Sequence, residues 1–510
     1  MLKRTNYMIG VDIGTTSTKA VLFKKNGEAV YKSDVGYPLH SPNVAVAEQD
    51  PEEIFQAVIT TIKDCVAKAG DGTIHFISFS AAMHSVIAID ENDQALTKCI
   101  TWADNRSAKW ADLIRKYHNG HAIYRNTGTP IHAMSPLSKI MWLENDHPEI
   151  AMKTKKYIGI KAYIFFRLFG QYVVDHSIAS ATGMMNLEKL TWDEAALNIV
   201  KITEEKLPKL VKTTKKFHDV NSKYAAEMGL DGEIPFIIGA SDGVLSNVGV
   251  GAIEEGDVAV TIGTSGAVRT IIDQPRTDEK GRIFCYALTE KHWVIGGPVN
   301  NGGMILRWLK EALATSEVEV AKSLDKNPYD MLTEIAADVP AGANGLLFHP
   351  FLAGERAPFW NPNMRGSFIG LSLTHEKKHM IRAVLEGVMF NLYSVLIALN
   401  EVMDTSIHTV KATGGFSRSP LWRQMMADIF DLEVSIPQSY ESSCLGACVL
   451  GMYANGEIDD FSHVTSMIGT TFTHTPEVET RKTYKELMAI FIRTSRILEK
   501  EYEQLSKLQR

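Results

Sequence analysis

The sequence has few cysteines and no long hydrophobic run. Its 510 residues include only five cysteines, an odd number, with no Cys-x-x-Cys pair. We therefore expect a reducing compartment and no disulfide framework. There is no stretch of roughly 18 uncharged apolar residues, and the first residues lack the apolar segment of a signal peptide. These absences favour a cytoplasmic protein without a membrane partner.

An excess of positive charge is also absent. The formal net charge is −7, so a nucleic-acid partner is not indicated. The composition, 45% hydrophobic and 22% charged, is that of an ordinary globular protein. Because 510 residues exceed what one hydrophobic core usually serves, we expect at least two domains.

Strand and helix patterns alternate along the chain, which favours α/β layers. Asp50 is a predicted N-cap, because Pro51 and two glutamates follow it at the start of a helical pattern. Other predicted elements are strands at 74–80, 85–90 and 236–240, and helices at 376–400, 420–430 and from about 477.

An acidic residue stands in the first predicted buried strand. Asp12 follows Met8, Ile9 and Val11, and small polar residues and a lysine come next: Gly14, Thr15, Thr16, Ser17 and Lys19. A second apolar run then leads to the predicted hairpin turn at Asn26-Gly27. The first turn offers backbone N–H groups and hydroxyls to phosphate oxygens, and Lys19 adds a positive charge. Asp12 is then predicted to hold hydrated Mg²⁺, with a local turn cap as the alternative.

The opening pattern occurs again about half a chain later. In "VAVTIGTSGAVRT", Gly263-Thr264-Ser265 matches Gly14-Thr15-Thr16, and each turn separates two β-rich runs. A duplicated domain explains this repeat. We expect an N-terminal domain over residues 1–248 and a C-terminal domain over residues 249–510.

Two further turns complete the predicted site. A strand runs into Gly414-Gly415, and Ser419 precedes a helix, a junction on which an adenosine could lie. Another strand ends just before Asp242, where an acid could accept the proton of an attacking hydroxyl. The alternative for Asp242 is a cap on the following helix. Neither a P-loop nor the HRD and DFG motifs of protein kinases occur.

Together these motifs resemble the FGGY family of carbohydrate kinases. The family's C-terminal signature is present as Gly366-Ser367-Phe368-Ile369-Gly370-Leu371 followed by "HMIRAVLE", and its N-terminal signature as "MSPLSKIMWLEND" with Lys139 and Trp142. The resemblance implies two ribonuclease-H-like, actin-like ATPase domains related by duplication, with an interdomain cleft. It also implies ATP and Mg²⁺ as cofactors and Asp242 as general base. Gly303 and Arg307 match positions that line the nucleotide site in related glycerol kinases, and Gly263-Thr264-Ser265-Gly266 matches the family's second phosphate motif.

Longer segments, including "RNTGTPIHAMSPLSKI", resemble the bacterial gluconate kinases of this family. The resemblance implies ATP-dependent phosphorylation of D-gluconate to 6-phosphogluconate. A xylulose or other pentulose kinase is the alternative, because those enzymes share Met83-His84 and the Trp102-x-Asp104-x-Arg106 segment. A non-catalytic, conformational ATPase of actin-like fold is a distant third. The partners expected are gluconate and ATP, and a homodimer stays open.

The substrate residues predicted on this basis are Met83, His84, Trp102, Asp104 and Arg106. A guanidinium is the natural bidentate partner of a carboxylate, so Arg106 is predicted to bind that of gluconate. An ion pair with Asp104 that braces the loop is the competing interpretation for Arg106. Lys161 is a weaker candidate and reads more readily as a structural lysine.

Overall fold

The computed structural model describes residues 5–230, 233–438, 441–469 and 472–509. The chain forms two compact units. The first contains residues 1–253, 271–295 and 441–469, and the second contains the remaining segments, 254–270, 296–440 and 470–510. The first unit thus contains two segments, 271–295 and 441–469, that a division at residue 248 assigns to the C-terminal domain. The boundary at 248/249 stays a prediction.

A six-stranded sheet forms the centre of the first unit. Its strands, in spatial order, are Lys216–Phe217, Phe236–Ser241, Thr73–Ala81, Asn6–Ile13, Ser17–Lys24 and Ala29–Gly36. Met8, Ile9, Val11 and Ile13 are fully buried, because helices cover the central strand. The hairpin predicted at Asn26-Gly27 is present, and Gly27 takes the positive φ of 85° that the turn requires.

A second sheet has seven strands, in the order Phe284–Ala287, Trp293–Val299, Gly266–Ile272, Asp257–Ile262, Thr409–Gly414, Glu433–Ile436 and Phe472–His474, and the last four of these lie wholly in the second unit. In the first sheet, Asn6–Ile13 pairs antiparallel with Ser17–Lys24 and parallel with Thr73–Ala81, which in turn pairs parallel with Phe236–Ser241. In the second sheet, Asp257–Ile262 pairs antiparallel with Gly266–Ile272 and parallel with Thr409–Gly414, which in turn pairs parallel with Glu433–Ile436. This repetition of strand order and direction confirms the duplicated α/β fold.

Helices cover the faces of the two sheets. Those of the first unit are Pro51–Ala69, Ala108–Tyr117, Gly120–Thr127, Pro136–Asp146, Pro148–Ala151, Ile160–Phe169, His176–Ser180, Glu194–Val200, Ser222–Met228, Asp242–Gly249 and Ser442–Asn455. Those of the second unit are Gly303–Trp308, Thr315–Ser323, Pro328–Ala337, Lys377–Asn400, Pro420–Phe430, Val478–Ile497 and Glu499–Leu508. The predicted N-cap Asp50 accepts a hydrogen bond from the Glu52 N–H at 2.8 Å.

Among the described residues, one helix, Lys377–Asn400, is long and apolar enough to cross a membrane by length and composition alone. Of its most apolar 18-residue window, 83% is buried inside the protein. A hydrophobic helix that is covered on all sides by its own chain is typical of a protein core. We interpret this helix as the central core helix of the second unit.

Candidate active site

Two acidic residues lie at the same edge of the first sheet. The strands that end near Asp12 and Asp242 both run parallel to Thr73–Ala81, which lies between them. Asp12 and Ala240 are each paired with Ser80 across that middle strand. Since the carboxyl ends of parallel strands share one edge, the fold brings these distant acids to one place.

The Asp12 carboxylate accepts a hydrogen bond from the Ser80 hydroxyl at 2.7 Å. Burial raises the pKa of Asp12, while Ser80 and the Lys19 ammonium oppose the shift. Asp12 therefore lies within a strand, partly buried, and not on an exposed turn, which favours the ligand interpretation over the local cap.

The first phosphate loop is held by hydrogen bonds to its carbonyl groups. The Gly14 carbonyl accepts from the Tyr37 hydroxyl at 2.5 Å, the Thr15 carbonyl from the Gln49 amide at 2.6 Å, and the Thr16 carbonyl from the Tyr37 N–H at 3.2 Å. Because these acceptors are already bound, an approaching phosphate meets N–H groups and hydroxyls.

Lys19 has a partner that the sequence did not suggest. It faces Asp12 across the antiparallel strand pair, and its ammonium lies 3.8 Å from the Glu441 carboxylate. Glu441 also accepts a hydrogen bond from Lys32 at 2.6 Å. A phosphate would therefore compete with the Glu441 carboxylate for the Lys19 ammonium. The phosphate-binding role of Lys19 stays a prediction.

Asp242 begins a helix directly after the strand Phe236–Ser241, and its carboxylate accepts from the Gly243 N–H at 2.7 Å. The strand is irregular before this point, because Gly239 has a φ of 70° and a Cβ there would lie 1.7 Å from the Phe79 carbonyl oxygen. Only a glycine allows this strand to approach the strand Thr73–Ala81 so closely. Asp242 then lies at the carboxyl end of the strand Phe236–Ser241.

A buried lysine lies behind both acids. Lys161 donates to the Asp175 carboxylate at 2.8 Å and to the Ala240 carbonyl at 3.0 Å, and its ammonium interacts electrostatically with Asp242 and Asp12. Burial lowers the pKa of Lys161, and the Asp175 carboxylate opposes the shift. Because the ammonium is buried and bound by Asp175 and the Ala240 carbonyl inside the first unit, the structural interpretation of Lys161 is favoured.

Two of the predicted substrate residues make side-chain contacts within the first unit. The Trp102 indole donates to the Thr15 hydroxyl at 2.9 Å, which connects the predicted sugar segment to the phosphate loop. His84 has a φ of 69°, and its Nδ1 lies 2.8 Å from the Ala181 carbonyl oxygen. Met83 precedes it, partly buried against the core of the unit.

Arg106 has two protein partners, and its predicted role as the partner of a substrate carboxylate stays a prediction. Its guanidinium is bound by two protein carboxylates, with Nε 3.0 Å from Asp104 and a second nitrogen on Glu48, and it stacks on the Trp142 ring. Asp104 is 1% exposed and also accepts from the Ala47 N–H at 2.9 Å. Since Asp104 and Arg106 satisfy each other, the loop-bracing interpretation is the one that the geometry favours.

Lys139 is fully buried, and its ammonium donates to three backbone carbonyls. The sequence indicated only that Lys139 belongs to a signature. Burial lowers the pKa of Lys139 to about 7, and the Asp104 carboxylate opposes the shift.

In the second unit, the turn at Gly263-Thr264-Ser265-Gly266 is closed by a backbone hydrogen bond, as the first loop is, but over a shorter span. The Gly263 N–H donates to the Ser265 carbonyl, two residues on, at 2.9 Å, whereas the Gly14 N–H donates to the Ser17 carbonyl, three residues on, at 3.0 Å. The Gly303 and Met304 N–H groups donate to the Gly263 and Thr264 carbonyls at 2.7 and 3.1 Å. The start of the helix Gly303–Trp308 therefore holds this loop in place.

A cleft of about 250 Å³ opens beside this loop. Four of the predicted nucleotide residues line it: Gly263, Gly303, Gly415 and Ser419. The lining residues that sequence reasoning missed are Ile262, Leu306, Asn327, Tyr329, Asp330, Thr333, Phe416, Arg418 and Trp422. A largely apolar cleft with a few polar groups suits an adenosine.

The remaining predicted nucleotide residues lie as follows. Gly414 shapes the junction next to the cleft, since its φ is 114° and a Cβ there would lie 2.0 Å from the Ile262 carbonyl oxygen. Ser419 caps the helix Pro420–Phe430. Arg307 is exposed and does not line the cleft, so a nucleotide contact from this side chain is not favoured.

Within the described ranges, no group of three or more His, Cys, Asp or Glu side chains could hold a metal ion. Mg²⁺ does not require such a cage, because it usually keeps several waters and binds one or two carboxylates together with substrate phosphates. The Asp12 carboxylate beside a phosphate loop fits that mode of binding.

The two-domain α/β fold agrees with the comparisons to known proteins. The N-terminal domain of the FGGY family of carbohydrate kinases matches residues 7–249, and its C-terminal domain matches residues 258–455. This chain belongs to the FGGY family of carbohydrate kinases, which confirms the resemblance noted in the sequence.

Three relatives are similar over almost the whole chain. The chain is 62% identical to the gluconokinase of Bacillus subtilis (strain 168), over 99% of each protein. It is 40% identical to the gluconate kinase of Lactobacillus acidophilus in a crystal structure, with a TM-score of 0.93, over 98% of this chain and 100% of that one. A structure described as ligand-bound xylulose kinase from Lactobacillus acidophilus is also 40% identical, with the same coverage and a TM-score of 0.92.

Proposed function

We propose that this chain transfers the γ-phosphoryl group of ATP to the terminal hydroxyl of D-gluconate, giving ADP and 6-phosphogluconate. The observation that carries this proposal is the 62% identity to a gluconokinase over 99% of both proteins. A pentulose kinase is the second candidate, because one relative at 40% identity is described as a xylulose kinase.

The two acids have separate roles in this proposal. Asp242 orients the attacking hydroxyl of gluconate and accepts its proton as the new O–P bond forms. Its position after the strand Phe236–Ser241 supports this role, because the strand fixes the backbone on one side and the helix Asp242–Gly249 fixes it on the other. Asp12 binds water molecules of hydrated Mg²⁺. The metal, when bound with ATP, neutralises charge on the phosphate oxygens.

The nucleotide is bound through backbone groups and an apolar cleft. The adenosine occupies the cleft lined by Gly415, Ser419 and Tyr329. The phosphate oxygens accept hydrogen bonds at Thr15-Thr16 and at Thr264, and Ser17 and Ser265 adjoin these turns. Backbone N–H groups suit this task because they are held in place before the ligand arrives.

On the sugar side, Met83, His84 and Trp102 contact the substrate, while Asp104 and Arg106 keep their loop in shape. This division is supported by the two protein carboxylates already bound to Arg106. We also infer a cytoplasmic location, which the five buried, unpaired cysteines support.

The test is the structure of the product. Purified enzyme is incubated with ATP, Mg²⁺ and gluconate, and the phosphorylated product is examined by proton-coupled ³¹P NMR. A phosphate on the terminal CH₂ group gives a triplet, and one on a CH group gives a doublet. A triplet from stoichiometric 6-phosphogluconate is expected. No ADP formation above the level without sugar would contradict the proposal.

A further inference from the structure

Lys139 lies on the helix Pro136–Asp146 and is 0% exposed. Its ammonium donates to the carbonyls of His84 at 2.7 Å, Thr101 at 2.6 Å and Met134 at 2.9 Å. An ammonium group has three protons, so these three acceptors use its whole donor capacity. Among the residues that the structure describes, no carboxylate lies within 4.0 Å of this nitrogen.

The three carbonyls belong to three separate segments of the first unit. One belongs to His84 itself, one to the residue before Trp102, and the third to Met134, two residues before the helix begins. His84 and Trp102 are the side chains that we assign to the sugar. The ammonium thus connects the backbones of both sugar-contacting segments to one rigid helix.

The backbone of His84 makes such a connection necessary. Its φ of 69° lies in the left-handed region, which is rare for a residue with a side chain. A strained residue of this kind persists only when the surrounding structure holds it there. The Lys139 bond to the His84 carbonyl, together with the contact of the His84 ring to Ala181, supplies that restraint.

A buried cation is costly, so its retention calls for an explanation. Removing an ammonium from water costs several kcal/mol unless its protons find good acceptors. A hydrophobic residue would fill the same space without this cost, but it could not hold three carbonyls at fixed positions. The geometry of the three bonds therefore favours a role in arranging the segments over a role in general packing.

We propose that Lys139 is a positioning residue for the sugar site, which fixes the His84 and Trp102 segments relative to each other and does not touch the substrate. This inference rests on the proposed function, because that function assigns His84 and Trp102 to the sugar. Without the ammonium, the segments separate and the sugar loses orientation. The nucleotide cleft of the second unit is not involved.

The test compares KM for the sugar with KM for ATP in Lys139→Met. We expect KM for gluconate to rise roughly 10- to 100-fold, because the site must be reordered on binding, while KM for ATP changes less than about threefold. Lys139→Gln keeps two N–H donors and is expected to give an intermediate KM. It also serves as the test variant if Lys139→Met fails to fold.

Arg382→Met is the matched control for loss of a buried cation. Arg382 is bound by Glu386 at 2.7 Å and by Tyr484 at 2.9 Å in the second unit. This variant should lower the melting temperature and leave KM for gluconate unchanged. The positioning role is refuted if folded Lys139→Gln has the wild-type KM for gluconate. It is also refuted if KM for ATP rises as much as KM for gluconate in the Lys139 variants.

Failure of the proposed function would be recognised separately, in the wild-type protein. If wild-type enzyme phosphorylates xylulose and not gluconate, the substrate assignment is wrong. The same variants are then measured with xylulose, and a selective rise of KM for that sugar still supports the role of Lys139.

Discussion

Asp12 and Asp242 lie at the carboxyl ends of two parallel strands that flank a third, and Lys161 interacts electrostatically with both. They are more than two hundred residues apart in the chain, so only the sheet brings them together. The Ser80 hydroxyl donates a hydrogen bond to Asp12, and the Gly243 N–H donates one to Asp242. A metal-binding and a proton-accepting carboxylate at one edge are what a phosphoryl transfer needs.

Asp242→Asn should abolish most of the phosphoryl transfer. The amide keeps the shape and the hydrogen bond to Gly243 but cannot accept a proton, so kcat should fall by roughly 10²- to 10⁴-fold. Binding of ATP, measured by calorimetry, should stay within about threefold. Asp193→Asn, which changes another aspartate at a helix start, is the matched control and should retain full turnover. Normal turnover in folded Asp242→Asn would remove Asp242 from the role of base.

Asp12→Ala should weaken the dependence on magnesium selectively. If Asp12 holds waters of the hydrated ion, the Mg²⁺ concentration for half-maximal rate should rise on the order of 10- to 100-fold. Gluconate binding should change little. Ser80→Ala removes only the hydrogen bond to Asp12 and should have a smaller effect. An unchanged Mg²⁺ dependence in Asp12→Ala would exclude the metal role.

Arg106→Met should damage the fold of its loop more than the recognition of substrate charge. It leaves the Asp104 carboxylate buried without its partner, which costs about 3 kcal/mol. We expect a lower melting temperature and equal losses of kcat/KM for gluconate and for a neutral sugar. Arg115→Met, at a more exposed ion pair, is the control and should be nearly neutral. A loss confined to gluconate would restore Arg106 as the partner of the substrate carboxylate.

His349 should make the second unit sensitive to acid. The ring lies 2.9 Å from the Tyr502 hydroxyl and 3.1 Å from the Thr494 hydroxyl, and burial lowers its pKa to about 4. Because the unfolded chain binds a proton near pH 6.5, the contribution of His349 to stability is complete above that pH. It is lost as the pH falls from 6.5 to 4 and amounts to about 3 kcal/mol.

The measurement is calorimetric unfolding at pH 7 and pH 5. The wild-type melting temperature should fall more between these values than that of His349→Gln, whose amide does not titrate. His463→Gln changes an exposed histidine and serves as the control. Equal pH dependence of wild type and His349→Gln would show that the His349 ring does not titrate between folded and unfolded states.

Local features of the sequence predicted local structure well. Asp50 is an N-cap as expected, and the helix predicted after Ser419 begins there with Ser419 as its cap, because a cap depends on residues two or three positions away. The duplicated turns were visible because each combines glycine and small hydroxyl residues between two strands. Asp242 was recognisable from the hydrophobic run that precedes it.

Contacts between distant segments were not visible in the sequence. Glu48 binds Arg106 from 58 positions away, and no local pattern indicates such a partner. Asn327 and Tyr329 line the cleft, although the sequence around them reads only as the start of a helix. The three carbonyls of Lys139 are backbone atoms, which carry no sequence signal at all. Such contacts follow from the tertiary fold.

The most direct test of the assignment is the rate of ATP consumption across a panel of gluconate, xylulose, ribulose and glycerol, each with saturating MgATP. The enzyme purified as wild type is compared with Asp242→Asn, so that any contaminating kinase is recognised. We predict that kcat/KM is highest for gluconate by roughly 100-fold or more, a difference of about 3 kcal/mol in transition-state binding. A higher kcat/KM for xylulose, or ATP consumption that no sugar increases, would contradict the assignment.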